Sequence, residues 1–130
     1  MKGLAWRAAG LAAWTLLVAG CAQQATEGAA LPAGKKLQIN QAVWSQYEEY
    51  VREGRELGPD RQGAFGVLVV GDLGLYGLSS YNYCPRMYDR CGPGRETPTS
   101  RILSACRREN VECLIFARNE SILVPYEIVD

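Results

Sequence analysis

Five cysteines and no histidine set the chemistry open to this 130-residue chain. Cys21 stands alone behind an apolar run. Cys84 and Cys91 form one C-x6-C pair, and Cys106 and Cys113 form a second after a fourteen-residue gap. Thiols so arranged can hold zinc, exchange electrons or form disulfides. Structural zinc sites take pairs spaced C-x2-4-C, and redox sites want C-x-x-C with a depressed thiol pKa. Neither spacing occurs, so no metal and no cofactor is expected. The lack of histidine also removes Ser-His-Asp and Cys-His nucleophiles. Carboxylates remain at Glu48, Glu49, Glu53 and Asp72. The first three read as the solvated face of a helix, and Asp72 sits in a turn. Glycoside hydrolysis needs two carboxylates held across a cleft, and a domain this small offers little wall for one. No enzymatic activity is expected.

The surroundings of Cys21 explain that residue separately. Lys2 and Arg7 make a short cationic start, and "AAGLAAWTLLVAG" from Ala8 to Gly20 follows. A membrane-spanning helix needs ~20 apolar residues, so this shorter run fits the core of an export signal. Val18-Ala19-Gly20-Cys21 resembles the bacterial lipoprotein lipobox at all four positions. The resemblance implies that residues 1–20 are a signal peptide, that the Cys21 thiol receives a diacylglyceryl group, and that the new amino terminus is acylated. One chain holds a protein only marginally, at ~0.8 kcal/mol per buried CH₂, whereas two or three on one residue hold it stably. Ala22 rather than aspartate follows the cysteine. In lipoproteins of this kind that implies a place in the cell envelope at the outer membrane, facing the periplasm.

An oxidising compartment turns the remaining four cysteines towards disulfides. Three pairings are possible. Local pairing, Cys84–Cys91 and Cys106–Cys113, is preferred, and the two crossed alternatives stay open. Without the signal, 12 basic residues face 14 acidic ones, a net charge of −2. A nucleic-acid binder would carry a basic patch and a high pI, so no nucleic-acid partner is expected. Residues 21–36 lack aromatics and hydrophobic periodicity and read as a flexible tether with a coil reach of roughly 20 Å. Residues 37–130 read as one small domain, of a size that often relies on covalent help.

Positioning these groups requires few elements. "INQAVWSQYEEYVREG" has a 3–4 apolar stripe of Val43, Trp44, Tyr47, Tyr50 and Val51, with Asn40 as N-cap and Gly54 as stop. "AFGVLVV", apolar on both faces, reads as a central strand. "GDLG" turns it into "LYGLSSYNY", a hairpin partner. Gly71, Gly74 and Gly77 repeat as G-x-x-G-x-x-G, but a strand follows them instead of a phosphate-binding helix N-terminus, so they read as turn and bulge glycines. Thr97-Pro98 opens a second helix, and Arg107 and Arg108 favour its C-terminal dipole. "VECLIFA" and "ILVPY" are third and fourth strands around an "RNES" turn, with Pro125 at an edge or end. The expected fold is α+β: a small antiparallel sheet of about four strands covered by two helices.

The segment "AFGVLVVGD…YGLSSYNYC", continued by "SRILSACRRENVECLIFARNESIL", resembles a diffuse group of small exported bacterial domains with paired cysteines, over residues 64–123. That likeness implies a disulfide-bonded α+β domain and no particular activity. Anchor, tether and stapled domain together favour an accessory protein that docks on a larger envelope assembly, such as secretion, pilus or outer-membrane machinery. Tyr76, Tyr81, Tyr83, Arg86, Tyr88 and Arg90 are the expected partner surface, since tyrosine and arginine are enriched at interface hot spots. A small-molecule or glycan-binding module is the alternative, with the same tyrosines stacking on sugar rings.

Overall fold

The computed structural model describes residues 28–84 and 94–130. Among these residues eight elements follow one another: β1 (Leu37–Ile39), α1 (Gln41–Leu57), β2 (Arg61–Val70), β3 (Leu73–Tyr83), α2 (Pro98–Arg108), β4 (Cys113–Arg118), β5 (Ser121–Ile122) and β6 (Tyr126–Ile128). The α+β class is as expected, but the sheet is not four-stranded and antiparallel. It has six strands in the order β5-β4-β2-β3-β1-β6. Its centre is antiparallel, while β1 pairs parallel with both β3 and β6. The difference has two physical sources. β1 and β6 are three residues each, too short to show an alternating pattern, and their pairing is non-local. Pro125 lies between β5 and β6 and divides the single fourth strand expected there.

The sheet curls around α1. Phe116 on β4 and Tyr126 on β6 stand four places apart in strand order, yet their rings meet edge to face at 5.3 Å. Asn40 caps α1 by accepting a hydrogen bond from the Val43 N–H at 2.9 Å. Val43, Tyr47, Tyr50 and Gly54 then line its buried side. They pack with Leu37, Ile39, Phe65, Val67, Val69, Leu114, Phe116 and Ala117 into the concave core. The expected stop at Gly54 is instead a close approach. A Cβ there would stand 3.0 Å from the Arg61 side chain and 3.2 Å from Tyr81, and the helix continues to a cap at Gly58, whose φ of 85° suits glycine.

On the convex face α2 covers a smaller core of Ala64, Ile102, Leu103, Cys106, Cys113 and Ile115. Thr97 and Ser100 form a reciprocal capping box with Pro98 in the first turn. Gly66 lets α2 come close, since a Cβ there would lie 2.7 Å from Ile102. β2 is therefore buried on both sides, Phe65, Val67 and Val69 inward and Ala64 and Gly66 outward. Two bulges adjust the pairing. Phe116 is the extra residue of β4 opposite Phe65 and Gly66, so it and Ala117 both join the concave core despite being neighbours. Leu75 is the extra residue of β3 opposite Leu68 and Val69.

Residues 28–31 were expected to belong to the tether, yet they lie against the domain. Gly28 bridges Leu114, the Ala29 N–H donates to the Cys113 carbonyl at 2.9 Å, and Ala29 and Leu31 pack on the concave core. No described helix is long and apolar enough to cross a membrane.

Candidate functional site

Strand direction gives the sheet two distinct ends. At one, β2 runs into the β2–β3 hairpin turn and β4 begins. At the other, β2 begins and β3 finishes. The hairpin end also holds Gly28 and the disulfide Cys106–Cys113, with a Cα–Cα distance of 6.1 Å. This bridge ties the last turn of α2 to the first residue of β4, as local pairing requires. Cys84, at the opposite end, is also disulfide-bonded, while its expected partner Cys91 lies outside the described residues.

Of the six residues expected to form a partner surface, the three described ones, Tyr76, Tyr81 and Tyr83, do not share one exposed patch. Tyr76 is exposed on the convex face near the hairpin end, opposite Leu68. Tyr83 is exposed at the other end, opposite Arg61. Seven strand positions separate them, about 23 Å at strand rise, and they point to opposite faces. Tyr81 is half-buried and belongs to the concave packing. Its ring stacks on Tyr50 with centroids 5.1 Å apart, and its hydroxyl donates to the Tyr50 carbonyl. Burial, and then the nearby Glu53 carboxylate, hold its phenol above the usual range. Arg86, Tyr88 and Arg90 lie outside the described residues.

The end that carries Tyr83 is braced by two arginines. Arg61 donates to the Gly58 carbonyl at 2.8 Å. Arg101, reaching from α2, donates to Ser80 Oγ, to the Tyr81 carbonyl at 3.2 Å and to Asn82 Oδ1 at 2.7 Å. Asn82 in turn donates to the Glu96 carbonyl at 2.8 Å. Bonds from a charged donor are the stronger kind, so this end of β3 is fixed to the start of α2. Leu57 and Tyr83 remain exposed beside it.

At the hairpin end Val70, Leu73, Leu75 and Tyr76 are exposed, together with Val111 from the turn after α2. Sequence reading passed over all but Tyr76. The signal was present in Val70 and Leu73, which flank the Gly71-Asp72 turn where polar residues are usual.

An open groove of about 730 Å³ runs over α1 and is lined by Tyr47, Glu48, Val51, Arg52, Arg55 and Glu120, among others. Its charges are already matched. Arg55 pairs with Glu120 at 2.6 Å, and Arg52 with Glu49 at 3.1 Å. The hydrogen bond from Arg55 holds the Glu120 carboxyl below its usual range. Tyr47 is only 6% exposed and offers no ring face for stacking. Glu48 accepts from the Trp44 indole N–H at 2.9 Å. Among the described residues no three of Asp, Glu, Cys or His gather where they would hold a metal ion. No family model, curated protein or solved structure matches the chain.

Proposed function

We propose that this chain is a lipid-anchored accessory protein of the cell envelope. Acylated Cys21 holds it to a membrane, by expectation the outer membrane facing the periplasm, and its globular domain docks on a larger envelope protein assembly. The observation that carries this reading is the polarity of the sheet. The chain leading from Cys21 joins the domain at Gly28, near the hairpin end. Tyr83 and Leu57 stand exposed at the opposite end, on strand and helix termini stiffened by Arg61 and Arg101. An exposed aromatic on a rigid frame loses little conformational freedom on binding, which is what favours tyrosine at hot spots. The docking end therefore faces away from the bilayer, and Tyr76 and Tyr81 of the expected partner surface are not part of it.

Photo-crosslinking in cells tests the reading. A photoreactive residue at Tyr83 is expected to give one identifiable envelope-protein adduct, which Arg61→Glu weakens, while the same probe at Ser79 on mid-strand β3 gives none. A Cys21→Ser chain is expected to remain an unprocessed precursor without lipid. Normal cleavage and acylation of that variant would remove the anchor from the proposal, and equal labelling from Tyr83 and Ser79 would remove the docking end.

A further inference from the structure

Half of the described large apolar side chains left exposed gather at the hairpin end: Val70 at 61%, Leu73 at 45%, Leu75 at 52%, Tyr76 at 55% and Val111 at 36%. α2 packs on the convex face against β2, β3 and β4, but no residue of β3 before Leu78 joins that core, and the bulge at Leu75 sets an additional apolar side chain at the uncovered start of the strand. Val70 lies opposite Leu73, and Tyr76 opposite Leu68, which packs at the margin of the convex core. Contiguous exposed apolar surface of this kind marks a contact site.

The position of the anchor indicates what covers it. Gly28 bridges Leu114 at the start of β4, and the space beside it is lined by Val111, Glu112 and Cys113. The Val69 N–H donates to the Glu112 carbonyl at 3.0 Å, so Val111 and the hairpin belong to the same end. Counting three strand spacings across and three residues along, Gly28 and Leu73 are within about 20 Å of each other. Cys21 precedes Gly28 by seven residues, which span at most about 24 Å when extended and roughly 15 Å as a coil. An acylated Cys21 therefore keeps this end of the domain within reach of the lipid surface.

We propose that the apolar rim of Val70, Leu73, Leu75, Tyr76 and Val111 rests in the membrane interface, orienting the domain with its Tyr83 end outward. This rests on the lipid-anchor reading above. Apolar side chains with a tyrosine among them suit the interfacial layer, where one end of the ring is apolar and the other wet. Charges at this end are mixed, with Arg107 and Arg108 exposed beside Glu109 and Glu112. Apolar burial, not attraction to anionic headgroups, carries the contact, so it persists on zwitterionic lipid.

The test uses the acylated chain reconstituted in phosphatidylcholine vesicles with brominated acyl chains. Cleavage at Cys21 leaves Trp44 as the remaining tryptophan, and Trp44→Phe removes it. In that background Leu75→Trp is expected to lose most of its emission to the bromines, and Tyr83→Trp almost none. Hydroxyl-radical footprinting of the unsubstituted chain, which needs no variant to fold, is expected to show reduced labelling of Leu73, Leu75 and Tyr76 on vesicles relative to the domain without lipid. Vesicle-bound protein in which both or neither tryptophan is quenched, or in which the rim labels as in solution, overturns the proposal and leaves the anchor standing. Blue-shifted emission from Leu75→Trp that bromine does not quench identifies a second copy on the rim and also overturns it. If the chain fails to float with vesicles and its mass shows an unmodified Cys21, the anchor reading fails and takes the orientation with it.

Discussion

On the concave face, α1 brings seventeen residues of helix against eleven buried side chains drawn from β1, β2, β4 and α1 itself. On the convex face, α2 brings eleven residues against a cluster of six, two of which are the disulfide cysteines. The concave core is an aromatic network in which Tyr47, Tyr50, Phe65, Phe116 and Tyr126 touch ring to ring. The convex core is thin and stapled. The bridge Cys106–Cys113 lies within the smaller of the two cores. The difference implies unequal costs of truncation. Phe116, with no exposed surface, cannot be replaced without leaving a cavity among rings that have no room to collapse. Phe116→Ala is expected to cost about 3–5 kcal/mol, and Ile102→Ala nearer about 2, because its margin of Leu68 and Leu78 can relax. Urea denaturation of the two variants makes the comparison. Equal losses would show that the convex core is packed as tightly as the concave one.

The disulfide sharpens the same contrast. Cys106 and Cys113 are seven positions apart in sequence, and a closed loop of that size restricts the unfolded chain by about 2.5 kcal/mol on the chain-entropy relation. Replacing both with serine is expected to lower stability by roughly that amount. The loss should not be uniform in hydrogen exchange. Amides of α2 should exchange faster than those of α1, since only α2 depends on the bridge for its last turn. A uniform acceleration over both helices would mean that the two faces open as one cooperative unit.

Local features were legible before the fold was known. The Asn40 cap, the Thr97-Pro98 start, the two-sided apolar run of β2 and the Gly71-Asp72 turn are written within a few residues and occur where the pattern indicates. The pairing of Cys106 with Cys113 follows from the same locality. What could not be read is what depends on distant partners. Leu37–Ile39 is a strand only because Leu73 and Tyr126 lie beside it, and three residues carry no period of their own. Tyr81 looked like a surface tyrosine among others, and becomes core because α1 presents Tyr50 to its ring. The apolar rim was hidden for the opposite reason. Val70, Leu73 and Leu75 have the residue types of a buried strand, and only the limited reach of α2 leaves them exposed.

The smallest expected effect comes from the stacked phenols of the concave face. Burial raises the pKa of Tyr50 above the usual phenol range, and the neighbouring Tyr81 phenol adds to it. Tyr81 is raised as well, again by burial first. In the unfolded chain both would ionise near pH 10, while in the folded chain they stay protonated. Above that pH the folded state holds more protons than the unfolded one, so stability falls as pH rises. The contribution is fully present below about pH 10 and is lost on the alkaline side. Tyr50→Phe keeps the ring and removes the proton, so it should flatten the alkaline limb of a stability–pH curve even if it lowers the plateau by breaking the bond from the Tyr50 hydroxyl to the Asn119 carbonyl. The convex cluster contains no ionisable phenol or carboxyl among its buried members, so Ile102→Ala should shift the whole curve without changing its shape. A change of slope with Ile102→Ala, or none with Tyr50→Phe, would separate alkaline unfolding from the aromatic face.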